Sequence, residues 1–346
     1  MPIQKPMDTL FRVVAGVMVY PALQVAIKLD IAGFLKDSTL PITVLAEYTH
    51  SHPDALYRLM RFLASAGIFT EIQAEEAVHS FANNEASHLL RRDIPNSMAR
   101  YMAREIYPGW ANKVLPNLSH TIRTGEPAFD HAYGCSIWEC LQQNPTARRD
   151  FDEMMTIISE TFTECTLAEY DFSQLHTIAD IGGSYGSLLT AVLRANTHIK
   201  GILFDKPEVI SQAGNVLELT YQQDILSRCQ LQEGDFLQSV PNGCDAYLLR
   251  YILHNWGDDV CVQILKNCRA ASPRAKVLIV EQVLQSDCPD QYTLVMDFWM
   301  LASFRNAKER TQQEYATLLQ TAGYRLTQVI PTNSPVSIVE GVPENF

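Results

Sequence analysis

From residue 176 onward, short apolar runs alternate with helical stretches, and this alternation constrains the fold more than anything else in the chain. The strings HTIADIGG, IKGILFD, CQLQEGDF, CDAYLLRYIL and AKVLIVEQV read as five strands. Between them lie SLLTAVLRA, PEVISQAGNVLEL and DVCVQILKNCRAA, each apolar at helical spacing. Strands joined by helices of this length predict a parallel sheet with helices on both faces, a doubly wound α/β class. The chain then departs from strict alternation. A helix over residues 314–323 leads to YRLTQVIPT and SPVSIVEGV, which predict an antiparallel pair at the sheet edge.

The preceding part is helical in periodicity, so the expected organisation is a helical domain over 1–170 and an α/β domain over 171–346. Residues 13–27 form an uncharged, mostly apolar run that Pro21 interrupts, and Pro21 is expected to open a helix over 22–35. Fifteen residues are too few for a membrane span, and no cleavage site follows, so the expectation is a soluble, cytoplasmic chain. A helix apolar around most of its circumference should be buried on all sides, and at this end of the chain a second subunit is the expected cover. The string TVLAEYTHSHPDALYRLMRFLASAGIFTEI, closed by Gly67 and a short β-like segment over 68–72, reads as a winged helix. Its recognition helix offers only Arg58 and Arg61, and the chain carries 27 basic against 39 acidic side chains, a net charge of −12. Phosphate binding needs clustered Lys and Arg, so a dimerisation scaffold is expected rather than a DNA reader. The eight cysteines show no C-x-x-C and no pairing with histidine at ligand spacing, so reduced thiols and no metal are expected.

The first strand ends in Asp180-Ile-Gly182-Gly183-Ser-Tyr-Gly186. The glycines miss the spacing of a dinucleotide fingerprint, and the loop lacks the lysine of a phosphate-binding loop. Asp205 ends the second strand 25 residues later, where a carboxylate can accept hydrogen bonds from both ribose hydroxyls. Asp235-Phe236 ends the third, combining an acceptor for an exocyclic amine with an aromatic face. The series suits an adenosine with no pyrophosphate.

With these strings in place, residues 8–341 resemble the plant-type small-molecule O-methyltransferases, which include caffeate- and hydroxyindole-type enzymes and bacterial natural-product methylases. The resemblance rests on D-I-G-G-S-Y-G at 180–186, L-F-D-K-P-E-V-I at 203–210, G-D-F at 234–236, L-R-Y-I-L-H-N-W-G-D-D at 249–259 and K-E-R-T at 308–311. TGEPAFDHAYG at 124–134 and the N-terminal winged helix match too. It implies a Rossmann-like methyltransferase domain behind a winged-helix dimerisation domain, and a homodimer. It also implies S-adenosylmethionine as cofactor, S-adenosylhomocysteine as product, no metal, and a small-molecule acceptor in place of nucleic acid or membrane.

The resemblance also implies roles. His254 stands at the general-base position with Glu281 and Glu309 flanking it, since a carboxylate can orient one imidazole nitrogen and stabilise the charged ring. Gly182, Asp205, Asp235, Phe236 and Arg250 correspond to cofactor ligands, and Phe151, Met155, Met300, Phe304 and Trp110 to the acceptor pocket. Three departures limit the transfer. Arg250 replaces a usual lysine, Asn255 replaces a usual aspartate after the histidine, and Ser303-Phe304-Arg305-Asn306-Ala307 replaces a glycine-rich segment. Plant substrates therefore cannot be carried over. The expected reaction is methylation of a phenolic or enolic hydroxyl. The alternatives are N- or C-methylation, a non-methylating relative that keeps the cofactor, and a winged-helix ligand sensor that binds DNA.

Overall fold

The computed structural model describes residues 6–73, 79–94, 97–103, 106–221, 223–285, 287 and 289–344. The chain divides into two compact units, Met1–Glu105 and Ile106–Phe346, so the boundary falls well before the expected break near 170. Residues 106–170 are helical, as their periodicity requires, but they pack with the sheet unit. Periodicity identifies a helix; it does not say which core receives its apolar face.

In the first unit, helix α1 (Pro6–Lys28) runs 23 residues straight through Pro21. The expectation that Pro21 starts a helix is thus corrected. Proline removes one amide donor, yet the helix ends only before Asp30, whose left-handed φ of 55° redirects the chain. Within one chain only Leu23, Ala26 and Ile27 of α1 are covered, which leaves the remaining apolar surface for the second subunit expected to cover it. Met7, Leu10, Phe11, Val13, Val14, Val17 and Met18 are exposed. At 23 residues the helix is also long and apolar enough to cross a membrane, so the sequence-based length argument does not hold. Next come Ile42–Tyr48 and α2 (Pro53–Ser65). Pro53 starts α2, and the His52 ring accepts the Ala55 amide. Leu56, Met60 and Leu63 make its buried stripe. Strands Thr70–Gln73 and His79–Ala82 pair antiparallel, and Leu40–Pro41 joins their far side.

The second unit begins with helices that include α3 (Ile137–Gln143) and α4 (Pro145–Glu169). Cys135 and Cys140 are joined as a disulfide, against the expectation of reduced thiols. The cause is local. Ser136 caps α3 through a reciprocal bond with Glu139, and this places the two cysteines where an apolar staple usually meets across a helix start. Cys261 and Cys268 are free and buried, as expected; Cys288 lies outside the described residues.

The sheet has seven strands. They are β1 (Thr177–Ile181), β2 (Lys200–Asp205), β3 (Cys229–Glu233), β4 (Ala246–Arg250), β5 (Lys276–Glu281), β6 (Tyr324–Pro331) and β7 (Ser337–Pro343). Their order across the sheet is 3-2-1-4-5-7-6. The first five strands are parallel, whereas β7 lies antiparallel between β5 and β6. The predicted antiparallel pair is therefore present, with β6 rather than β7 at the edge. All five residues of β4 are buried, as a central parallel strand covered on both faces requires. Helices α5 (Ser187–Ala195), α6 (Pro207–Thr220), α7 (Asp258–Ala271), α8 (Gln291–Ser303) and α9 (Gln312–Thr321) complete the unit. The order reverses beside β1, so the carboxyl ends of β1, β2 and β4 border the crevice where ligands of such sheets bind.

Candidate active site

The glycine loop after β1 is shaped for close approach. Gly182 and Gly186 have positive φ, and a Cβ at Gly182 would come within 2.5 Å of the Ile252 side chain. The loop therefore lies directly on the segment that carries His254. Asp180 is buried beneath it, and burial pushes its carboxyl up to about 7, with Arg250 opposing. Asp205 accepts the amides of Ser184 (2.9 Å) and Lys206 (2.7 Å), which ties the end of β2 to the loop. Burial raises its pKa while these two amides pull it down. Asp235 accepts the Leu237 amide and pairs with Lys206 at 2.8 Å, and this pairing outweighs burial to hold its carboxyl low. Phe236 meets Trp256 edge to face.

Arg250 does not point alone into the crevice. Its guanidinium donates to Thr163 Oγ1 (2.8 Å) and to the Ser159 carbonyl (2.7 Å), pinning α4 to the end of β4. A lysine could not make this forked contact. Among the described residues, its Nε and the Ser184 hydroxyl are buried without a hydrogen-bond partner. These atoms, the glycine cradle and the acceptor oxygens of Asp205 are compatible with a polar, adenosine-containing group at this rim.

His254 sits in a short 3₁₀ turn, Leu253–Asn255. It is buried, and its Nδ1 lies 2.9 Å from Glu309 Oε1. Burial alone would lower the imidazole pKa, but Glu309, with Glu281 adding, holds it above its ordinary value. Nδ1 is thus committed as donor, and Nε2 makes no hydrogen bond among the described residues. Such a ring can take a proton at Nε2 while Glu309 balances the charge.

Glu281 behaves differently from the expectation that it flanks the ring. Its Oε1 accepts the amides of Ile252 (2.8 Å), Leu253 (2.6 Å) and His254 (3.3 Å), and its Oε2 accepts the Tyr315 hydroxyl. It holds the backbone, because a carboxylate in the core gathers whatever donors surround it, and here those are peptide groups.

Trp110, Phe151, Met300 and Phe304 meet in one apolar cluster with Trp138. Trp138 is not among the acceptor-pocket residues that the resemblance implies. It contacts Phe304 at 5.4 Å, Phe151 at 6.1 Å and Trp256 at 5.9 Å between ring centroids. Met155, one turn beyond Phe151, packs instead against the core that contains Tyr185 and Tyr251. Other residues were missed as well. Arg310 is fully buried and donates to the carbonyls of Leu253 and Trp256. Asp297 accepts the Glu309 amide. Asp152, held by Arg148, is raised by burial to about 6. The K-E-R-T string flagged the first; no local signal marks the other two.

Comparison with known proteins identifies the family. Residues 116–325 match the family described as O-methyltransferase domain, and residues 11–93 match the O-methyltransferase dimerisation domain. A phenazine O-methyltransferase of Lysobacter antibioticus is 37% identical over 338 residues, covering 96% of this chain and 95% of that protein. The solved mitomycin 7-O-methyltransferase MmcR superposes with a TM-score of 0.81 at 33% identity, over 98% of both chains. NcsB1 from neocarzinostatin biosynthesis, solved with S-adenosylmethionine and 2-hydroxy-5-methyl naphthoic acid, gives a TM-score of 0.73 at 30% identity, covering 94% of this chain and 96% of that one. The chain belongs to the S-adenosylmethionine-dependent O-methyltransferases, with the family's dimerisation domain ahead of its catalytic domain.

Proposed function

We propose that the protein methylates a phenolic or enolic hydroxyl of a small planar aromatic metabolite, with His254 as general base. The observation that carries this reading is the buried His254–Glu309 pair beside the glycine loop. A phenol with a pKa of about 10 is mostly protonated near neutrality, so a base within hydrogen-bond reach accelerates its attack. S-adenosylmethionine, when bound, supplies the electrophilic methyl group. Asp205 would hold the ribose hydroxyls, and Asp235 with Phe236 the adenine edge and face. Gly182 gives room at the loop, and Arg250 keeps α4 against the rim. His254 Nε2 takes the hydroxyl proton, and Glu309 stabilises the resulting imidazolium through Nδ1. Trp138, Phe304, Phe151 and Met300 offer flat and polarisable faces, which suit an aromatic acceptor. The naphthoic acid bound to NcsB1 is of this class. The apolar surface of α1 supports a homodimer formed through the N-terminal unit.

The test is a screen of hydroxylated aromatic compounds with methyl-labelled S-adenosylmethionine, followed by location of the label. Methylation at oxygen that is lost in His254→Ala supports the reading; an acceptor methylated equally fast by that variant overturns the base. Asp205→Ala is expected to weaken S-adenosylmethionine binding about tenfold or more, for a lost pair of charge-assisted bonds. Unchanged affinity in a calorimetric titration would remove the ribose assignment.

A further inference from the structure

We propose that Glu281 and Arg310 are a matched pair of positioning residues that act on His254 through the backbone of its turn, the acid gathering the turn's amides and the base its carbonyls. Glu281 takes the N–H groups of Ile252, Leu253 and His254. Arg310 donates Nη1 to the Leu253 carbonyl at 2.9 Å and Nη2 to the Trp256 carbonyl at 2.7 Å, and its Nε and Nη2 also donate to Asp258 Oδ1 at 3.0 and 2.8 Å. Both side chains are fully buried. Among the described residues they form no ion pair with each other; a short piece of main chain stands between them.

The turn needs this support. Tyr251, just before it, has φ of 53°, the left-handed region that a side chain disfavours. Such a conformation persists where neighbouring groups over-determine it. Here a carboxylate and a guanidinium fix the peptide groups on the two sides of His254. The segment that brings Arg310 also brings Glu309 to the ring, and its Lys308 amide donates to the His254 carbonyl at 3.1 Å. One motif thereby sets both the ring's partner and the backbone beneath the ring.

The pair has opposite electrostatic effects on the imidazole, Glu281 raising its basicity and Arg310 lowering it. Glu309 is the largest charge acting on the ring, with Glu281 next and Arg310 opposing. Other groups face this centre from each packed element. Tyr251 lies 5.5 Å from the ring, centroid to centroid. Asp297 of α8 acts through the Glu309 amide, Tyr315 of α9 through Glu281, and Asp258 of α7, which also pairs with Lys308, through Arg310.

The inference rests on His254 as base for its kinetic part only, so the test reads the imidazole directly. The full-length protein, with histidine ring carbons labelled, is titrated by NMR, and His254 is assigned by its loss in His254→Ala. Glu281→Gln is expected to move the His254 titration down by roughly one pH unit and Arg310→Gln to move it up by less. The double variant should titrate between the two single variants while kcat stays at least about tenfold low, because the turn is no longer held. Charge-keeping variants separate reach from charge: Glu281→Asp and Arg310→Lys should leave the titration in place and still lower kcat. Circular dichroism and S-adenosylmethionine binding confirm that each variant is folded, and the charge-keeping pair serves if a glutamine variant is not. The proposal is overturned if the titration is unmoved in folded glutamine variants, or if Glu281→Asp and Arg310→Lys keep wild-type kcat. A shifted titration with an unshifted pH–rate profile would instead remove His254 as base and leave the paired positioning intact.

Discussion

The His254 turn and helix α1 are opposite solutions to the same constraint. In the turn, a buried acid and a buried base take the peptide groups, and a buried carboxylate takes the ring's Nδ1, all within one chain. In α1, a row of large apolar side chains is left open to solvent. Peptide groups removed from water need partners at once, and for the amides of this turn the chain supplies them. Apolar surface carries no such local demand and can wait for a second molecule. One chain supplies the partners of the turn's peptide groups, whereas the apolar face of α1 stays uncovered within it.

The comparison can be broken from the catalytic side first. His254→Ala is expected to lower kcat by about 10²–10⁴-fold, the usual worth of a positioned base, measured in steady state with saturating cofactor. A loss below threefold would mean that the turn's elaborate support serves structure alone.

From the other side, Val14→Glu with Met18→Glu places two charges on the open face of α1. The expected outcome is a shift from dimer to monomer in light scattering, with the catalytic unit still folded by circular dichroism. Unchanged mass would show that the dimer does not use this face. Loss of binding to lipid vesicles would mark it as a membrane surface instead.

A smaller effect concerns pH. Because the His254 pKa is raised above 6.5, the imidazole stays charged further up the pH scale. A base must be neutral, so kcat/KM should rise with pH through that raised value. Glu309→Gln removes the main support of the charged ring, so the acid limb should move to lower pH while kcat falls about tenfold. An acid limb that stays in place would show that another group controls it.

The smallest effect lies under the glycine loop. The Asp180 carboxyl is near 7 in the fold against 3.8 when exposed, so between those values the unfolded chain gives up its proton first and stability falls as pH rises. Asp180→Asn removes this dependence. The ligand-free variant should melt a few degrees above the parent at pH 8 and show no such gain at pH 4, read by differential scanning fluorimetry. Equal melting at both values would mean that Asp180 is ionised in the fold.

Much of the second unit was legible because its signals are local. The strand and helix runs carry their periods in adjacent residues, and Asp205 sits at a fixed place at the end of β2. The readings that failed depended on distant partners. Glu281 reads as a ring partner until β5 and the turn are seen together. Pro21 reads as a helix start, but its helix continues and stops where Asp30 turns left-handed. The Cys135–Cys140 bond could have been read from the sequence, since C-S-x-x-E-C places both thiols about a capped helix start.

By itself the sequence determined the alternating α/β sheet, the acid series along its strand ends, the single histidine in the 249–259 string and the apolar N-terminal helix. These follow from period, composition and spacing, which are properties of neighbouring residues. Only the tertiary structure decided that Glu309 meets the ring and Glu281 the backbone, that Arg250 clasps α4, and that residues 106–170 belong to the sheet unit. Those outcomes turn on which donor or apolar face lies nearest once the chain is folded, and a buried carboxylate takes its role from the groups packed against it.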